Sequence, residues 1–566
     1  MVTFPQRLTI ARSVSHIPCF CKPWVCFGQP AISVSSRHHL STSPPALHEE
    51  FFRHTSRRWI FNETDRLNER FVKFRPTELQ RIAGEALQQD YCPDISKLAE
   101  GGFNKVFSLR ARNGREVIAR IPTPIAGPPH YTTASEVATM DFLRAVLKLP
   151  VPEVLTYSAK SDNPVGAEYI LMERVEGESL ASRWLSLTTD EVKDVMAQIA
   201  DIERKIFDFH FPAYGSLYYK KDLDTETQIP TIENFVIGPV SARQFWHGER
   251  SKTEIDRGPW LSTVDCVTSA ARREMAVIQH HAKAQPRQTF LLPTNYDIHP
   301  SEHSSLLSRF LQLAPYLIPP GSSSAPTLRH PDLSLSNILL APGSTKIVSI
   351  IDWQDSVIFP RFMQAGYPAF CEHDYSRPQS LQIPSLPDHF DEMGIDEQRQ
   401  SRAIFRLEEA NLYYTAATGI YNDQHMDILK LPHFGMLQYL LRQTGYPWDA
   451  DVINLRAALV GITTPSIWSK ISSAVCPVVF SDEEREAAIA ESQEWNESEQ
   501  LLSRVREHLN IDLEGGTEPD NFERAVEGNR QFRMEMVRQA EADQQEICWR
   551  NWPYKDKEDN SMPPQR

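Results

Sequence analysis

The stretch His330-Pro331-Asp332-Leu333-Ser334-Leu335-Ser336-Asn337-Ile338-Leu339-Leu340, followed by Ile350-Ile351-Asp352-Trp353, decides the reading of this 566-residue chain. Asp332 and Asn337 stand at D-x-x-x-x-N spacing, the spacing of a kinase catalytic loop. Apolar runs of strand length follow Asn337 and precede Asp352. Phosphoryl transfer asks for two things at such a place. A carboxylate must accept or orient the proton of an attacking hydroxyl, and oxygen ligands must hold magnesium against nucleotide phosphates. Asp332 suits the first task. Asn337 and Asp352 suit the second, with Asp352 ending an apolar strand and preceding an aromatic residue.

Working outward, the upstream region alternates strand and turn signals. Strand character at Ile95–Leu98 and Val106–Arg110 is followed by Asn113-Gly114, a strong hairpin turn signal, and by a third strand over Glu116–Ile121. A helix is expected over Thr133–Leu147, and strands over Val154–Tyr157 and Ala167–Met172. Thr188 and Glu191 have capping-box spacing at the head of a helix reaching about Phe209. Beyond that the chain is mainly helical, with expected helices at 264–284, 302–315, 397–419, 424–430 and 450–460. Ser481 and Glu484 form a second capping box, which opens an acidic helical region. Strands first and helices later suit an α+β fold of two lobes, a small antiparallel-sheet lobe and a larger helical one, with a cleft between them.

The catalytic stretch does not stand alone. Glu100-Gly-Gly-Phe-Asn-Lys-Val-Phe107, Ile118-Ala-Arg-Ile-Pro122, Tyr131-Thr-Thr-Ala-Ser-Glu136, Pro164-Val-Gly-Ala-Glu-Tyr-Ile170 and Arg257-Gly-Pro-Trp260 accompany it. With these segments the chain resembles the phosphotransferase-enzyme (aminoglycoside phosphotransferase-like) family of the protein-kinase-like fold, over roughly residues 50 to 480. Within that family it is similar to a group of fungal mitochondrial proteins. The resemblance implies ATP and Mg2+ as cofactors and a small-molecule hydroxyl as phosphate acceptor, a protein acceptor being less expected. The expected layout is a 46–90 helical extension, an N-lobe over 91–175, a helical C-lobe with the catalytic loop over 176–480, and an acidic helical tail over 481–566.

Two parts of the kinase pattern are altered. Aligned on Val106, the glycine-rich loop becomes Ala99, Gly101, Asn104 and Val106, so one pattern glycine survives. Backbone N–H groups at Gly101 and Gly102 would still cover phosphates, and Asn104 is a residue able to adopt a left-handed conformation. In Val117-Ile118-Ala119-Arg120 the phosphate-binding position holds Arg, which keeps the charge but not the compact ammonium of Lys. Two readings stay open. Arg120 pairs with Glu136 and still holds the phosphates, or Lys105 reaches inward and replaces the lysine. Adenine is expected against backbone groups of Glu173 and Val175, with Gly177 freeing the hinge. Because of Arg120 and the depleted loop, a second functional reading is kept: a nucleotide-binding module with little turnover and a regulatory or scaffolding role.

Bulk composition narrows the field. The chain has 59 Lys and Arg against 74 Asp and Glu, a net charge of −15. That balance argues against nucleic acid as the main partner, which would need clustered cations. No apolar run reaches the roughly 18 residues that a membrane-spanning helix requires. The eight cysteines are scattered without CxxC pairs, as in a reducing compartment. Residues 1–48 carry Arg7, Arg12, Lys22 and Arg37, seven serines and no acid. An acid-free, Arg- and Ser-bearing start is expected to be a mitochondrial transit peptide over residues 1–45. The pair His280-His281 is a poor chelate, because adjacent helix positions point in different directions.

Overall fold

Asn113-Gly114 forms the turn that the sequence signals. Gly114 takes φ +85°, and the Asn113 side chain accepts from the Arg115 N–H at 3.0 Å. The strands it joins belong to a five-stranded antiparallel sheet in a computed structural model that describes residues 49–287, 289–290, 297–372 and 383–559. The expected transit segment, residues 1–45, lies outside the described residues. The sheet consists of β1 (Asp94–Glu100), β2 (Asn104–Arg110), β3 (Glu116–Pro122), β4 (Val154–Ser158) and β5 (Tyr169–Glu173), in the order β1-β2-β3-β5-β4.

Alternation along β3 separates two environments. Val117, Ala119 and Ile121 point to one face, where they pack with Phe107, Leu109 and Leu171 against Phe52, Phe74, Leu79 and Leu87. Several of the latter belong to α1 (Pro76–Ala86) or flank it. Arg120 points to the opposite face, toward α2 (Tyr131–Asp141), which carries Glu136. The chain leaves β5 through residues 174–177 and enters the helical lobe. There the Thr188–Glu191 capping box closes as expected on α3 (Thr189–Phe207).

The large lobe is built from long helices, including α4 (Thr263–His281), α5 (Pro300–Leu317) and α6 (Ile395–Tyr421). Their apolar stripes merge into two large buried clusters. One is centred on α3 and the hairpin that follows Asn337, and the other on α4, α5 and the 434–462 helices. That hairpin is the element of greatest consequence. β6 (Ile338–Leu340) pairs antiparallel with β7 (Ile347–Ile350), with Ile338 opposite Ile350. Asn337 immediately precedes β6, Asp352 follows shortly after β7, and the Ile351 N–H donates to the Asn337 carbonyl at 2.9 Å. Fifteen residues of sequence separation collapse to neighbouring positions. The fold is thus the α+β, two-lobed arrangement expected from the sequence.

The two terminal segments pack on each other. Arg58–Trp59 pairs antiparallel with Gly516–Thr517. Arg57 pairs with Asp512, Arg70 Nη2 lies 2.9 Å from Glu514, and Lys557 Nζ lies 2.8 Å from Asp65. Trp59 is buried beneath the Arg70 guanidinium, whose carbon stands 4.5 Å from the ring centroid. The acidic helix α7 (Asp482–Leu509), capped by Ser481 and Glu484 as expected, buries Ala488 in the large-lobe core. Among the described residues no helix is long and apolar enough to cross a membrane. Cys92, Cys266, Cys371, Cys476 and Cys548 are free thiols.

Candidate active site

Asp332 sits on a loop fixed by the side chain before it. His330 Nε2 lies 2.9 Å from the Ile351 carbonyl, and the Asp332 N–H donates to His330 Nδ1 at 3.1 Å. One nitrogen therefore donates and the other accepts, the pattern of a neutral ring. Burial pulls the His330 pKa down to about 4, so the ring stays neutral at physiological pH. Its edge meets the fully buried Trp353, with centroids 4.5 Å apart, which locks the catalytic loop to the hairpin.

Asn337 Nδ2 donates to the Asp332 carbonyl at 2.9 Å. The amide nitrogen faces the loop, which turns Oδ1 outward as an acceptor. Burial pushes the Asp332 carboxyl up to about 6, with Asp352 adding like-charge repulsion. Asp352 itself takes φ +68°, a left-handed conformation uncommon for a non-glycine residue.

Arg120 gathers the acidic groups. Its guanidinium pairs with Glu136, lies 2.6 Å from Asp352 Oδ1 and donates to Gln354 Oε1 at 2.7 Å. Burial, reinforced by Asp352 and Asp355, pushes the Glu136 carboxyl up to about 7 against the pull of Arg120. Asp355, also at positive φ, is pushed up to about 7 by burial and by Asp352, and its Oδ1 is buried without a hydrogen-bond partner. Three carboxyls, Glu136, Asp352 and Asp355, thus meet around Arg120, and Asp332 stands near Asp352.

Two expectations are corrected by geometry. Lys105 does not reach into the cleft. It lies opposite Ile121 in the β2–β3 register and so points to the other face of the sheet from Arg120. There it is buried, pairs with Glu100 and donates to the Arg53 carbonyl at 2.8 Å. Glu100 also accepts from the backbone N–H of Thr55 at 2.7 Å. The two residues bracketing the glycine turn therefore anchor the N-terminal segment. Asn104 is not left-handed but starts β2, and its side chain donates to Gln354 Oε1 at 2.7 Å.

Gly101 and Gly102 form the turn between β1 and β2, closed by the Gly101 N–H donating to the Asn104 carbonyl at 3.0 Å. Glu173 ends β5 with its N–H given to the Glu153 carbonyl at 2.8 Å, and Val175 follows in the connection to the large lobe. Gly177 serves close packing, not hinge freedom. A Cβ there would stand 3.1 Å from Leu339, Val348 and the Leu340 carbonyl.

Of the expected residues, the fold brings Asp332, Asn337, Asp352, Arg120 and Glu136 into one neighbourhood, linked through Gln354 to Asn104 at the end of the Gly101–Gly102 turn. Sequence reading passed over Gln354, Asp355 and Arg243. Gln354 joins Arg120, Asn104 and, through Nε2, the Ala126 carbonyl at 2.7 Å. A glutamine carries no charge and no motif, so only its neighbours reveal it. Asp355 had a usable signal, a second acid three residues beyond Asp352 in the same turn.

A family model described as the phosphotransferase enzyme family matches residues 94–366. An Aspergillus fumigatus protein named subtelomeric hrmA-associated cluster protein is 81% identical over 509 residues, 85% of this chain and 100% of its own length. Altered inheritance of mitochondria protein 9, mitochondrial, from Lodderomyces elongisporus is 26% identical over 390 residues, 61% of this chain and 59% of its own. The ADP-bound aminoglycoside phosphotransferase APH(2'')-Ib superposes on 68% of this chain and 96% of its own, with 11% identity and a TM-score of 0.35. With the phosphotransferase family model matched over residues 94–366, the chain belongs to the phosphotransferase enzyme family.

Proposed function

We propose that this protein is an ATP- and magnesium-dependent phosphotransferase that acts on a hydroxyl of a small-molecule acceptor in mitochondria. The observation that carries the reading is the β6–β7 hairpin, which sets Asn337 and Asp352 side by side next to Asp332. Asn337 Oδ1 and the Asp352 carboxylate would hold the magnesium, and the unpartnered, buried Oδ1 of Asp355 adds to the oxygen-rich character of the place. Bound there, magnesium would neutralise charge on the nucleotide phosphates. Asp332, held by His330 and Asn337, would take the proton of the acceptor hydroxyl. The turn of Gly101 and Gly102 would lie over the phosphates, and backbone groups at Glu173 and Val175 would meet adenine. The mitochondrial element rests on the acid-free, Arg-bearing start and on the names of the distant relatives.

The Arg120 contacts favour a second reading, a nucleotide-binding module with a regulatory or scaffolding role. A guanidinium committed to Glu136, Asp352 and Gln354 is less available to phosphates than a free lysine. Thermal shifts with ATP, with and without magnesium, run beside an ATP-consumption assay, separate the two. Magnesium-dependent stabilisation with consumption supports the enzyme, and stabilisation without consumption supports the module. In the same assay Asp352→Ala is expected to abolish the magnesium-dependent part of the shift. A shift equal to the parent's would remove Asp352 from the metal site.

The raised pKa of Asp332 gives a pH dependence. A base must be deprotonated, so turnover is expected to rise with pH through about 6 and level off above it. Stability follows the opposite sign. The folded state holds this proton more tightly than the unfolded chain. Its contribution is therefore fully present below about pH 4 and is lost as pH rises through about 6. A flat rate profile between pH 5 and pH 7.5 would exclude Asp332 as the base.

A further inference from the structure

Whatever grips the outer phosphate of a nucleotide in this cleft needs a cation with N–H groups to spare. Arg120 has both terminal nitrogens committed, and its Nε is buried without a partner. Lys105 lies on the far face of the sheet with Glu100. Arg243 is placed differently. Its guanidinium carbon stands 5.1 Å from the ring centroid of Phe103, which lies within the glycine turn between Gly102 and Asn104. Its backbone N–H faces the carboxylate of Asp355, three residues beyond Asp352. Arg243 therefore bridges the glycine turn and the segment that follows the metal-binding aspartate.

The charge balance around Arg243 is uneven. Among the described residues its side chain makes no ion pair, and its Nε is buried without an acceptor. The acids that act on it from the terminal segments are Glu514 and Glu69. Both are engaged elsewhere, Glu514 with Arg66 and Arg70, and Glu69 with Arg70. Asp355 is shared with the Arg120 cluster. Burial, the leading influence, lowers the Arg243 pKa, and Glu514, Asp355 and Glu69 act against it.

We propose that Arg243 is a phosphate-binding residue of this cleft, whose guanidinium receives the terminal phosphate oxyanion under the glycine turn. It fills the role that Arg120, held by Glu136 and Asp352, leaves open. The inference rests on the nucleotide-binding reading above.

The test is calorimetric titration of the full chain, with Arg243→Gln and Arg243→Lys, using adenosine, ADP and ATP in magnesium buffer. A charged hydrogen bond contributes about 1.5–3 kcal/mol, so Arg243→Gln should weaken ATP binding roughly 10- to 100-fold. Adenosine affinity should be unchanged, ADP should lose less than ATP, and Arg243→Lys should recover part of the ATP loss. Equal weakening of all three ligands, or no weakening of ATP, would overturn the assignment and leave nucleotide binding standing. A parent chain that binds none of the three would overturn both.

Discussion

Asp332→Asn is expected to lower turnover by about 10²- to 10⁴-fold, the usual contribution of a positioned general base. The substitution keeps size and shape and removes the proton acceptor. Nothing else at the loop needs the carboxylate. The Asp332 N–H goes to His330, its carbonyl receives Asn337 and the Ser334 N–H, and none of these bonds uses the side chain. The loop should therefore hold its shape and ATP affinity should stay at the parent's value. Replacing a carboxyl whose pKa is raised by burial also relieves repulsion with Asp352. The variant should be at least as stable as the parent at neutral pH. Single-turnover measurement with saturating ATP reads the chemical step directly. A variant that turns over like the parent would move the base elsewhere, and one that loses ATP binding would make Asp332 a structural residue.

Arg120→Ala is expected to destabilise the protein by about 3–5 kcal/mol, the cost of breaking a buried ion pair from one side. The loss exceeds the value of the contact because the acids stay behind. Glu136 is almost fully buried and would face Asp352 and Asp355 without a counter-ion. Gln354 Oε1 would lose one of its two donors, which loosens its hold on Asn104 and the glycine turn. Arg120 holds the Glu136 pKa down, so in the variant it lies above the parent's value of about 7, and the loss should be largest at alkaline pH and shrink as pH falls toward about 7. Arg120→Lys should recover only part of it. One ammonium on a shorter reach cannot serve Glu136, Asp352 and Gln354 together in the planar fork that Arg provides. Denaturant midpoints at pH 6 and pH 8 check both statements. A loss under about 1 kcal/mol at pH 8 would mean that the acids relax into solvent and that the cluster is not a fixed unit.

The mechanism and the stability of this site thus depend on one arginine that the sequence marked only as a departure. The Val117–Arg120 strand was legible from its apolar alternation, and Glu136 from its place on the following helix. What Arg120 does was not legible. Its choice between phosphates and carboxylates depends on Asp352 and Gln354, more than 230 residues away. Lys105 shows the same limit on a finer scale. It stands one residue from Val106, whose side faces Arg120. A strand turns successive side chains to opposite faces, so that single step puts the ammonium behind the sheet. The pairing of the 46–90 and 481–566 segments had no sequence signal either, since two-residue strands are too short to carry a period.

The amino-acid sequence by itself determined the elements whose physics is local. These are the Asn113-Gly114 turn, the Thr188 and Ser481 capping boxes, the alternating strands, and the Asp332–Asn337–Asp352 spacing that a hairpin turns into one site. Each depends on a few consecutive residues and the backbone geometry they favour. Tertiary structure alone decided the electrostatics: which acids share Arg120, which face receives Lys105, and why Arg243 stands over Phe103 beside the glycine turn with no ion pair among the described residues. Charge interactions depend on distance and burial, and both are set by the packing of segments hundreds of residues apart. The spacing that brings Asp332, Asn337 and Asp352 together could therefore be read in advance, but the partners of the surrounding cations could not.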